Sequence, residues 1–516
     1  MLGLTTTIAR MHLDQIRLDY VAILGGDYES VKANGYCPRD GLPPVPLSLP
    51  FAWKHRDRNA ANQLHAWRFL HPIFQKYLAT KHPAYIAEAI TYMRDWDRFR
   101  TKSGDYSPVW GDVPTGMRCI ALAFVLSLDK AGHIELSNDD KNFVLFLSGL
   151  HTENLSSSQN ITVGNHAVHQ LRGLRMLSMA LADDGLDAFC NEAMSKLLEA
   201  NFDKYHVNTE NSPFYHHYNV QLLRPIGKLF PSLNRQIRNI VQNGRAISAW
   251  LTDHNGDFYS IGDSEGHGVP FKATVPIDPI SLPGKFVHKD LHQSGYIVIR
   301  SHATIPAADA EALVFHATNA THVHSHADHL SFILVHKGVE LFADPGKHSY
   351  QYDEWRQYFR SDIGHNTVGL AGIAFNTEDT PIGTAKLEPV VIRNSQYFIC
   401  GSVPRSDCFK MSRSMAYAPG QLLTITDQVE HNTQNAVEAR FHLGIGVEAR
   451  PENGKFLLLK DDTVLAELHF DPHNLLDAAI TDGWVSKRSY TKIKTQTLLL
   501  SYAPHTTFIN TRVRLL

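Results

Sequence analysis

The spacing of hydrophobic residues changes near the middle of the chain. From Trp53 to about Gln242, apolar residues recur at spacings of three and four, as they do between Leu64 and Tyr77. This period is typical of amphipathic helices, and polar or Gly/Pro breaks separate one helix from the next. After the first helices, the pattern predicts helical segments at 84–99, 115–129, 139–151, 165–182, 185–201, 216–224 and 234–251.

Beyond residue 290 the pattern is that of short strands with turn-rich connections. Many such strands in succession predict an antiparallel β-sandwich. The expected strands are Gly295–Ser301, Ala312–Ala317, Leu330–Val335, Val339–Ala343, Thr367–Leu370, Lys386–Arg393, Tyr397–Val403, Leu422–His431, Val437–Leu443, Lys455–Leu459, Val464–Phe470 and Thr497–Ala503.

These patterns predict an α+β multidomain protein. Successive helical hairpins can wind into an incomplete α/α toroid, which the antiparallel β-sandwich follows. A chain of 516 residues is also longer than one ordinary domain. We expect an N-terminal segment at 1–50, a helical domain at 51–270, a Pro/Gly-rich linker at 271–289 and a β-domain at 290–516. A groove is expected where helices and sheets meet.

The composition limits the classes of partner that the protein is expected to bind. With 43% hydrophobic and 20% charged residues, the chain is an ordinary globular protein. The net charge of −3 does not favour nucleic acid binding, and the chain has no run of about 18 apolar residues that predicts a membrane span. The first 20 residues lack the apolar core of a signal peptide, which predicts a cytoplasmic protein, or a periplasmic one if a signal was removed.

Histidine and cysteine usage gives further constraints. The 30 histidines, against 49 lysines and arginines, would make the protein strongly cationic at slightly acidic pH, which suits a polyanionic substrate. The five cysteines are scattered and contain no CxxC pair, so neither a disulfide framework nor a cysteine zinc site is expected.

The stretch 321–350 concentrates six histidines and two aspartates around a predicted hairpin. A turn centred on Lys337 would place Asp344 opposite Leu330, close to the histidines that precede the hairpin. His326, Asp344 and His365 provide two imidazoles and a carboxylate, a common ligand set for zinc. His324 is then a free imidazole that faces a substrate. The alternative is a histidine-rich loop that binds no metal.

Two helix starts supply further candidate groups. Asn165 and His166 follow a glycine at the start of an apolar helix, where exposed N–H groups and the helix dipole favour a bound carboxylate. A simple N-cap and a surface histidine are the alternative. Tyr215 and Tyr218 follow a Ser-Pro helix start and share one helix face.

Three stretches of the C-terminal half resemble the sheet domain of heparinase II/III-type polysaccharide lyases, a group that includes heparinases and several alginate lyases. They are HSHADHLSF at 324–332, GVELFADPGKHSY at 338–350 and YFRSDIGHNTV at 358–368. The resemblance implies that His324 acts in catalysis and that His326, Asp344 and His365 bind a zinc ion, which we expect to be structural. RDRNAANQLHAWRFL at 56–70, WGDVPTGMRCIAL at 110–122 and DFYSIGDS at 257–264 resemble the helical domain of the same family.

The resemblance also implies a reaction, the β-elimination of a uronic-acid-containing polysaccharide such as a glycosaminoglycan or alginate. Asn165 and His166 would neutralise the substrate carboxylate, Tyr215 would move the proton, and His324 would act as the partner base. Tyr215 aligns with the family's tyrosine after Ser-Pro-x, and Tyr218 is the reserve. The expected further contacts to the acidic polysaccharide are Tyr218, Arg118, Glu210, Tyr352 and Arg360.

Two other functions stay open. A glycoside hydrolase on an α/α toroid would need two opposed carboxylates, for which Asp112, Glu210 and Asp263 are available. A non-catalytic protein of polysaccharide binding or biosynthesis could keep the fold without turnover.

Overall fold

The computed structural model describes residues 26–38, 42–265, 286–302 and 304–516, which form two compact units. The first unit contains the chain up to Asn201 together with Asn219–Val241. The second contains Phe202–Tyr218 and Gln242–Leu516. Most of the expected linker, the stretch 1–20 considered for a signal peptide and half of the expected N-terminal segment lie outside the described residues. The predicted domain boundaries therefore stay predictions.

The first unit is helical, as its period predicts. Side chains at helix starts fix where some helices begin, since Asp57 accepts a hydrogen bond from Ala60 N (2.8 Å) and Ser137 accepts one from Asp140 N (3.1 Å). In chain order the helices are α1 Tyr28–Asn34, α2 Arg58–His65, α3 His71–Thr80, α4 Ala84–Arg100, α5 Asp112–Lys130, α6 Asn138–Leu155, α7 Gly164–Leu181, α8 Asp184–Asn201, α9 Pro213–Leu223, α10 Asn234–Trp250 and α11 Glu354–Arg360. Helices α9 and α10 each run from one unit into the other, and α11 belongs to the second unit.

Two glycines let α5 and α7 pack closely in the first unit. A Cβ atom at Gly173 would lie 1.9 Å from the carbonyl oxygen of Gly116, and one at Gly116 would lie 2.5 Å from that of His169. The two backbones therefore touch where the helices cross. Within the described ranges, each helix is too short or too polar to cross a lipid bilayer.

The second unit carries three sheets, and every pairing between its described strands is antiparallel. In chain order the strands are β1 Phe286–Leu291, β2 Tyr296–Ser301, β3 Ala312–His316, β4 Ser331–His336, β5 Val339–Phe342, β6 Val368–Leu370, β7 Lys386–Leu387, β8 Val391–Arg393, β9 Gln396–Ser406, β10 Phe409–Ala418, β11 Leu422–His431, β12 Val437–His442, β13 Glu448–Glu452, β14 Lys455–Lys460, β15 Thr463–Phe470, β16 Leu475–Val485, β17 Ile493–Tyr502 and β18 Phe508–Leu515. The first sheet runs β1-β2-β3-β4-β5, the second runs β13-β14-β15-β18-β11-β10-β9-β7 with β8 paired to β9, and the third runs β16-β17-β12-β6.

The three central strands of the first sheet, β2 to β4, are buried on both faces, which explains their nearly continuous apolar sequences. On β2, Ile297 and Ile299 enter a large core shared with the other two sheets. Tyr296 and Val298 point to the opposite face, into a smaller core. Val207 and apolar residues of 247–261, all within the second unit, complete that smaller core, so the C-terminal end of α10 packs directly against the sheet.

The observed register of the β4–β5 hairpin differs from the predicted one. His336 pairs with Val339, so the turn consists of Lys337 and Gly338, both with positive φ. A bulge then shifts the pairing by one residue, and Leu334 faces Phe342. Asp344 therefore does not lie opposite Leu330. Hydrophobic alternation reports which face is buried but does not reveal a bulge.

Candidate active site

Backbone packing in the second unit fixes the loop that carries His324. Asn211 adopts a left-handed conformation (φ 56°), and its side-chain amide donates to the carbonyl oxygens of Thr321 (2.7 Å) and Val323 (3.0 Å). Gly262 lies against the same loop, where a Cβ atom would be 2.5 Å from the His324 carbonyl oxygen. That carbonyl accepts a hydrogen bond from the backbone N–H of Asp263 (3.0 Å). The loop is thereby tied to two other segments of the unit.

The buried carboxylate of Asp263 is the centre of the hydrogen-bond network. Arg356 on α11 donates to both of its oxygens (2.5 and 2.9 Å), and Nδ1 of His324 and Nε2 of His326 each lie 2.9 Å away. Burial raises the pKa of this carboxyl, but Arg356 and the two imidazoles outweigh burial and hold the pKa well below its usual value. Asp263 is therefore an anion in this site.

Tyr215, His324 and Tyr350 form the part of the site that can exchange protons. The rings of Tyr215 and His324 stack with centroids 3.4 Å apart and an interplanar angle of 9°. The hydroxyl of Tyr215 lies 2.7 Å from that of Tyr350, which lies 3.3 Å from Nδ1 of His324. Burial raises the pKa of both phenols above the usual value, although the hydrogen bond between the two hydroxyls partly opposes this for Tyr215. Both phenols are therefore protonated at neutral pH.

Charged groups surround these rings. The carboxylate of Glu210 is buried, and Oε2 lies 3.6 Å from Nε2 of His324. Nζ of Lys347 is also buried, lies 2.6 Å from Glu265 Oε1, and stands 6.0 Å from the centroid of the Tyr215 ring. Burial has the largest effect on the pKa of Tyr215 and raises it.

Five buried side chains of types that commonly bind metals lie close together in the same unit as His324: His316, His326, Asp328, Asp344 and His365. Two groups of three place their ligand atoms within 4.8 Å of one another. One contains His326, Asp328 and His365, and the other contains His316, Asp328 and Asp344.

The hydrogen bonding of this cluster fits a bound cation. Both oxygens of Asp328, both ring nitrogens of His316 and Nδ1 of His326 are buried without a hydrogen-bond partner in the described part of the chain. An unpartnered buried carboxylate is costly unless a cation compensates it. Oδ2 of Asp344 lies 3.0 Å from Nδ1 of His365. However, neither group of three combines the predicted ligands His326, Asp344 and His365. Asp328, which was not among the predicted ligands, belongs to both groups.

Asn165 and His166 lie in the first unit, in the first turn of α7, as their sequence predicts. The Asn165 side chain is buried, whereas the side chain of His166 is 47% exposed. Nδ1 of His166 lies 2.6 Å from the carboxylate of Asp112 in the first turn of α5. Burial raises the pKa of Asp112, but this contact with His166 lowers it below the usual value.

The structure also corrects one expected substrate contact. Arg118 is fully buried and donates to the carbonyl oxygens of His65 (2.7 Å) and Val109 (2.8 Å) and to His151 (2.7 Å). We therefore assign Arg118 to the core of the first unit rather than to a substrate surface. The sequence shows that Arg118 lies in an apolar helix, α5. It does not show the three buried groups that accept hydrogen bonds from its guanidinium.

The other expected contacts lie in the second unit. Tyr218 is half-buried beside Tyr215, with ring centroids 6.2 Å apart. Arg360 pairs with Glu378 (2.6 Å), and Tyr352 is 88% exposed. Glu210 lies in the site itself, where its carboxylate is close to the imidazole of His324. Lys347 is a site residue that the sequence motifs did not indicate, although it directly follows the Asp-Pro-Gly turn.

The C-terminal part of the chain is similar to a known protein family. Residues 284–512 match the family model described as Heparinase II/III-like, C-terminal. No curated protein sequence matches the chain significantly.

Solved structures resemble nearly the whole chain. A crystal structure of heparinase III has a TM-score of 0.72 at 15% identity, covering 98% of this chain and 85% of that one. The heparan sulfate lyase HepC from Pedobacter heparinus has a TM-score of 0.64 at 15% identity, covering 96% and 83%. The chondroitin AC lyase of Streptomyces coelicolor A3 in complex with chondroitin sulphate has a TM-score of 0.52 at 11% identity, covering 99% and 79%. These similarities confirm the predicted fold class, a helical toroid region followed by antiparallel β-sandwich sheets.

Proposed function

We propose that this protein is a polysaccharide lyase that cleaves uronic-acid-containing polysaccharides by β-elimination, which is supported by the match of residues 284–512 to the Heparinase II/III-like, C-terminal family model. The observation that carries the proposal is the contact between Tyr215, His324 and Tyr350. It brings together an imidazole that can accept a proton and phenols that can donate one, and such an elimination needs a base and an acid.

The elimination removes the C5 proton of a uronate, forms a C4–C5 double bond and expels the glycosidic oxygen from C4. His324 acts as the base, because its Nδ1 is bonded to Asp263 and its Nε2 can accept the C5 proton. Tyr215 donates a proton to the leaving oxygen, since burial keeps its phenol protonated. Tyr350 is hydrogen-bonded to Tyr215 and can return a proton to it. The family resemblance assigns neutralisation of the uronate carboxylate to Asn165 and His166.

The buried cluster of five metal-ligand side chains is proposed to hold a zinc ion. Its imidazoles favour zinc over calcium or magnesium, and its unpartnered donors fit a cation. His326, Asp328 and His365 would be ligands, with Asp344 bonded to His365. A zinc ion there would brace the loop that carries His324.

The hydrolase alternative is less well supported. It requires one carboxylic acid that keeps its proton to protonate the leaving group. Asp263 is an anion bound to Arg356 and two imidazoles, and Asp112 also has a lowered pKa. Glu210 alone does not supply the opposed pair of carboxylates.

The function is tested by assaying heparan sulfate, chondroitin, hyaluronan and alginate for an ultraviolet-absorbing unsaturated uronate product. We expect turnover on at least one polymer, and a loss of about 10²- to 10⁴-fold in kcat for Tyr215→Phe, since a proton donor is removed. Tyr259→Phe is the matched control, because Tyr259 is a buried phenol of the same unit with no hydrogen-bond partner among described residues. Full activity of Tyr215→Phe would disprove its role. Saturated products, or binding without turnover, would favour the two other functions.

The metal is tested by measuring the zinc content of the purified protein. We expect bound zinc in the wild type and a strong loss in Asp328→Asn, because Asp328 belongs to both groups of ligands. Chelation should also lower the melting temperature, since metal binding stabilises the folded state. His336→Gln is the control, as His336 is a buried histidine of β4 outside the cluster. A wild-type protein that neither contains nor binds a divalent metal would refute this site.

A further inference from the structure

Asp263 serves two histidines through different ring nitrogens. Its Oδ2 lies 2.9 Å from Nδ1 of His324, and its Oδ1 lies 2.9 Å from Nε2 of His326. Arg356 donates to both oxygens as well, so the carboxylate is charged and can only accept hydrogen bonds. Each imidazole must therefore donate an N–H to it.

These two hydrogen bonds determine where each neutral imidazole carries its proton, because a neutral ring has only one N–H. His324 carries its proton on Nδ1, which leaves the lone pair on Nε2. His326 carries its proton on Nε2, which leaves the lone pair on Nδ1. Nδ1 of His326 is buried with no hydrogen-bond partner in the described ranges, as expected of a nitrogen reserved for another ligand.

We propose that Asp263 is a positioning residue that sets opposite tautomers in His324 and His326, keeping Nε2 of His324 available as a base and Nδ1 of His326 available to a cation. The part that concerns His324 rests on the proposed lyase function. The part that concerns His326 rests only on the buried ligand cluster. Because one carboxylate serves both rings, its loss should impair turnover and metal retention together.

The position of Asp263 supports a role beyond an ion pair with Arg356. The chain spaces Asp263 61 and 63 positions from the two histidines and 93 positions from the arginine, so the fold brings four separate groups together. An ion pair alone would need only Arg356. The pair of Asp427 and Arg413 in the same unit shows this simpler case, with two buried hydrogen bonds (2.7 and 3.0 Å) from the guanidinium.

The test substitutes Asp263→Asn and reads the histidine tautomers directly. The two imidazoles face different oxygens of Asp263, and a carboxamide replaces one of those oxygens with an amino group, so one imidazole would face a donor instead of an acceptor. In protein labelled with nitrogen-15 in histidine, ring-nitrogen shifts distinguish protonated from unprotonated positions. His324→Gln and His326→Gln identify the signals of the two rings by their loss.

In the wild type we expect protonated Nδ1 in His324 and protonated Nε2 in His326. In Asp263→Asn at least one ring should change tautomer, zinc content should fall, and kcat should fall about 10- to 100-fold with KM within about twofold. Asp427→Asn is the matched control, because it changes a buried, arginine-bound carboxylate without touching an imidazole. It should leave the tautomers and the zinc content unchanged.

Several results would overturn the inference. One is a wild-type spectrum in which both rings carry the proton on the same nitrogen, and this holds even if Asp263→Asn does not fold. Another is an Asp263→Asn protein that keeps both tautomers and its zinc. If the tautomers and the zinc behave as expected but no polymer is cleaved, the assignment of Asp263 is supported and the lyase function fails.

Discussion

At the scale of single residues, the candidate site depends on uncommon backbone conformations. His324 and Asn211 both have positive φ (54° and 56°). For residues other than glycine, this conformation costs about 1 kcal/mol or more, so the surrounding contacts must stabilise it. Asn211 stabilises the loop through its side chain, which donates to Thr321 and Val323 and accepts from the backbone N–H of Ala320 (3.0 Å).

We predict that Asn211→Gly and Asn211→Ala both destabilise the second unit, and that alanine costs more. Both substitutions remove buried hydrogen bonds worth roughly 1 kcal/mol each. Only alanine adds the strain of a left-handed backbone, about 1 kcal/mol. Chemical denaturation measures the difference, and turnover should fall in both variants because the His324 loop loosens. Equal stability of the two variants would show that the backbone of residue 211 is not strained.

At the scale of helices and strands, close backbone packing limits which side chains a position can accommodate. The crossing of α5 and α7 has no room for a Cβ atom at Gly173, where the carbonyl oxygen of Gly116 would be 1.9 Å away. Overpacking of this kind typically costs about 1–3 kcal/mol, and backbone atoms cannot move aside as a flexible side chain can.

We predict that Gly173→Ala destabilises the first unit by at least about 2 kcal/mol. Gly149→Ala is the matched control, since Gly149 lies on α6 and a Cβ atom there would have no described atom within 4 Å beyond its own helix backbone. At this position alanine should stabilise the helix by roughly 0.5–1 kcal/mol. Urea denaturation followed by circular dichroism measures both changes. Two substitutions with the same sign would contradict the packing described for this crossing.

At the scale of the whole molecule, buried histidines make stability depend on pH. Burial lowers the pKa of His65 and His217 to about 3 and that of His216 to about 4. In the unfolded chain these groups titrate near 6.5. Between about pH 6 and pH 4 the unfolded state therefore binds more protons than the folded state, and stability falls as the pH is lowered.

We predict a loss of up to about 1.4 kcal/mol per pH unit from each of these three histidines in that window. Thermal unfolding at pH 7.5, 6 and 5 measures it. His65→Gln should reduce the slope for the first unit, whereas His473→Gln, at an exposed position, should not. A melting temperature that does not change from pH 7.5 to pH 5 would contradict the prediction.

Much of the fold was predictable from local patterns. A hydrophobic period of three to four residues predicts a helix at 84–99, and α4 spans Ala84–Arg100. A period of two predicts a strand at 422–431, and β11 spans Leu422–His431. The prediction did not include helix α11 or the strands β1, β10, β13, β16 and β18. Strand β16 is partly exposed and its hydrophobic period is weak, whereas β10 and β18 alternate between buried and less buried positions and were missed in spite of that period. The motif at 324–332 directed attention to His324, and Tyr215 follows its Ser-Pro helix start as expected.

Local patterns specify the order of helices and strands and the types of chemical group present, because burial periodicity and turn residues act over a few neighbouring positions. Tertiary packing is needed to bring Asp263 to His324, His326 and Arg356, to place Asp328 in both ligand groups, and to enclose Arg118 in the first unit. Most of these contacts join residues far apart in the chain, so they depend on packing of the whole core rather than on neighbouring positions.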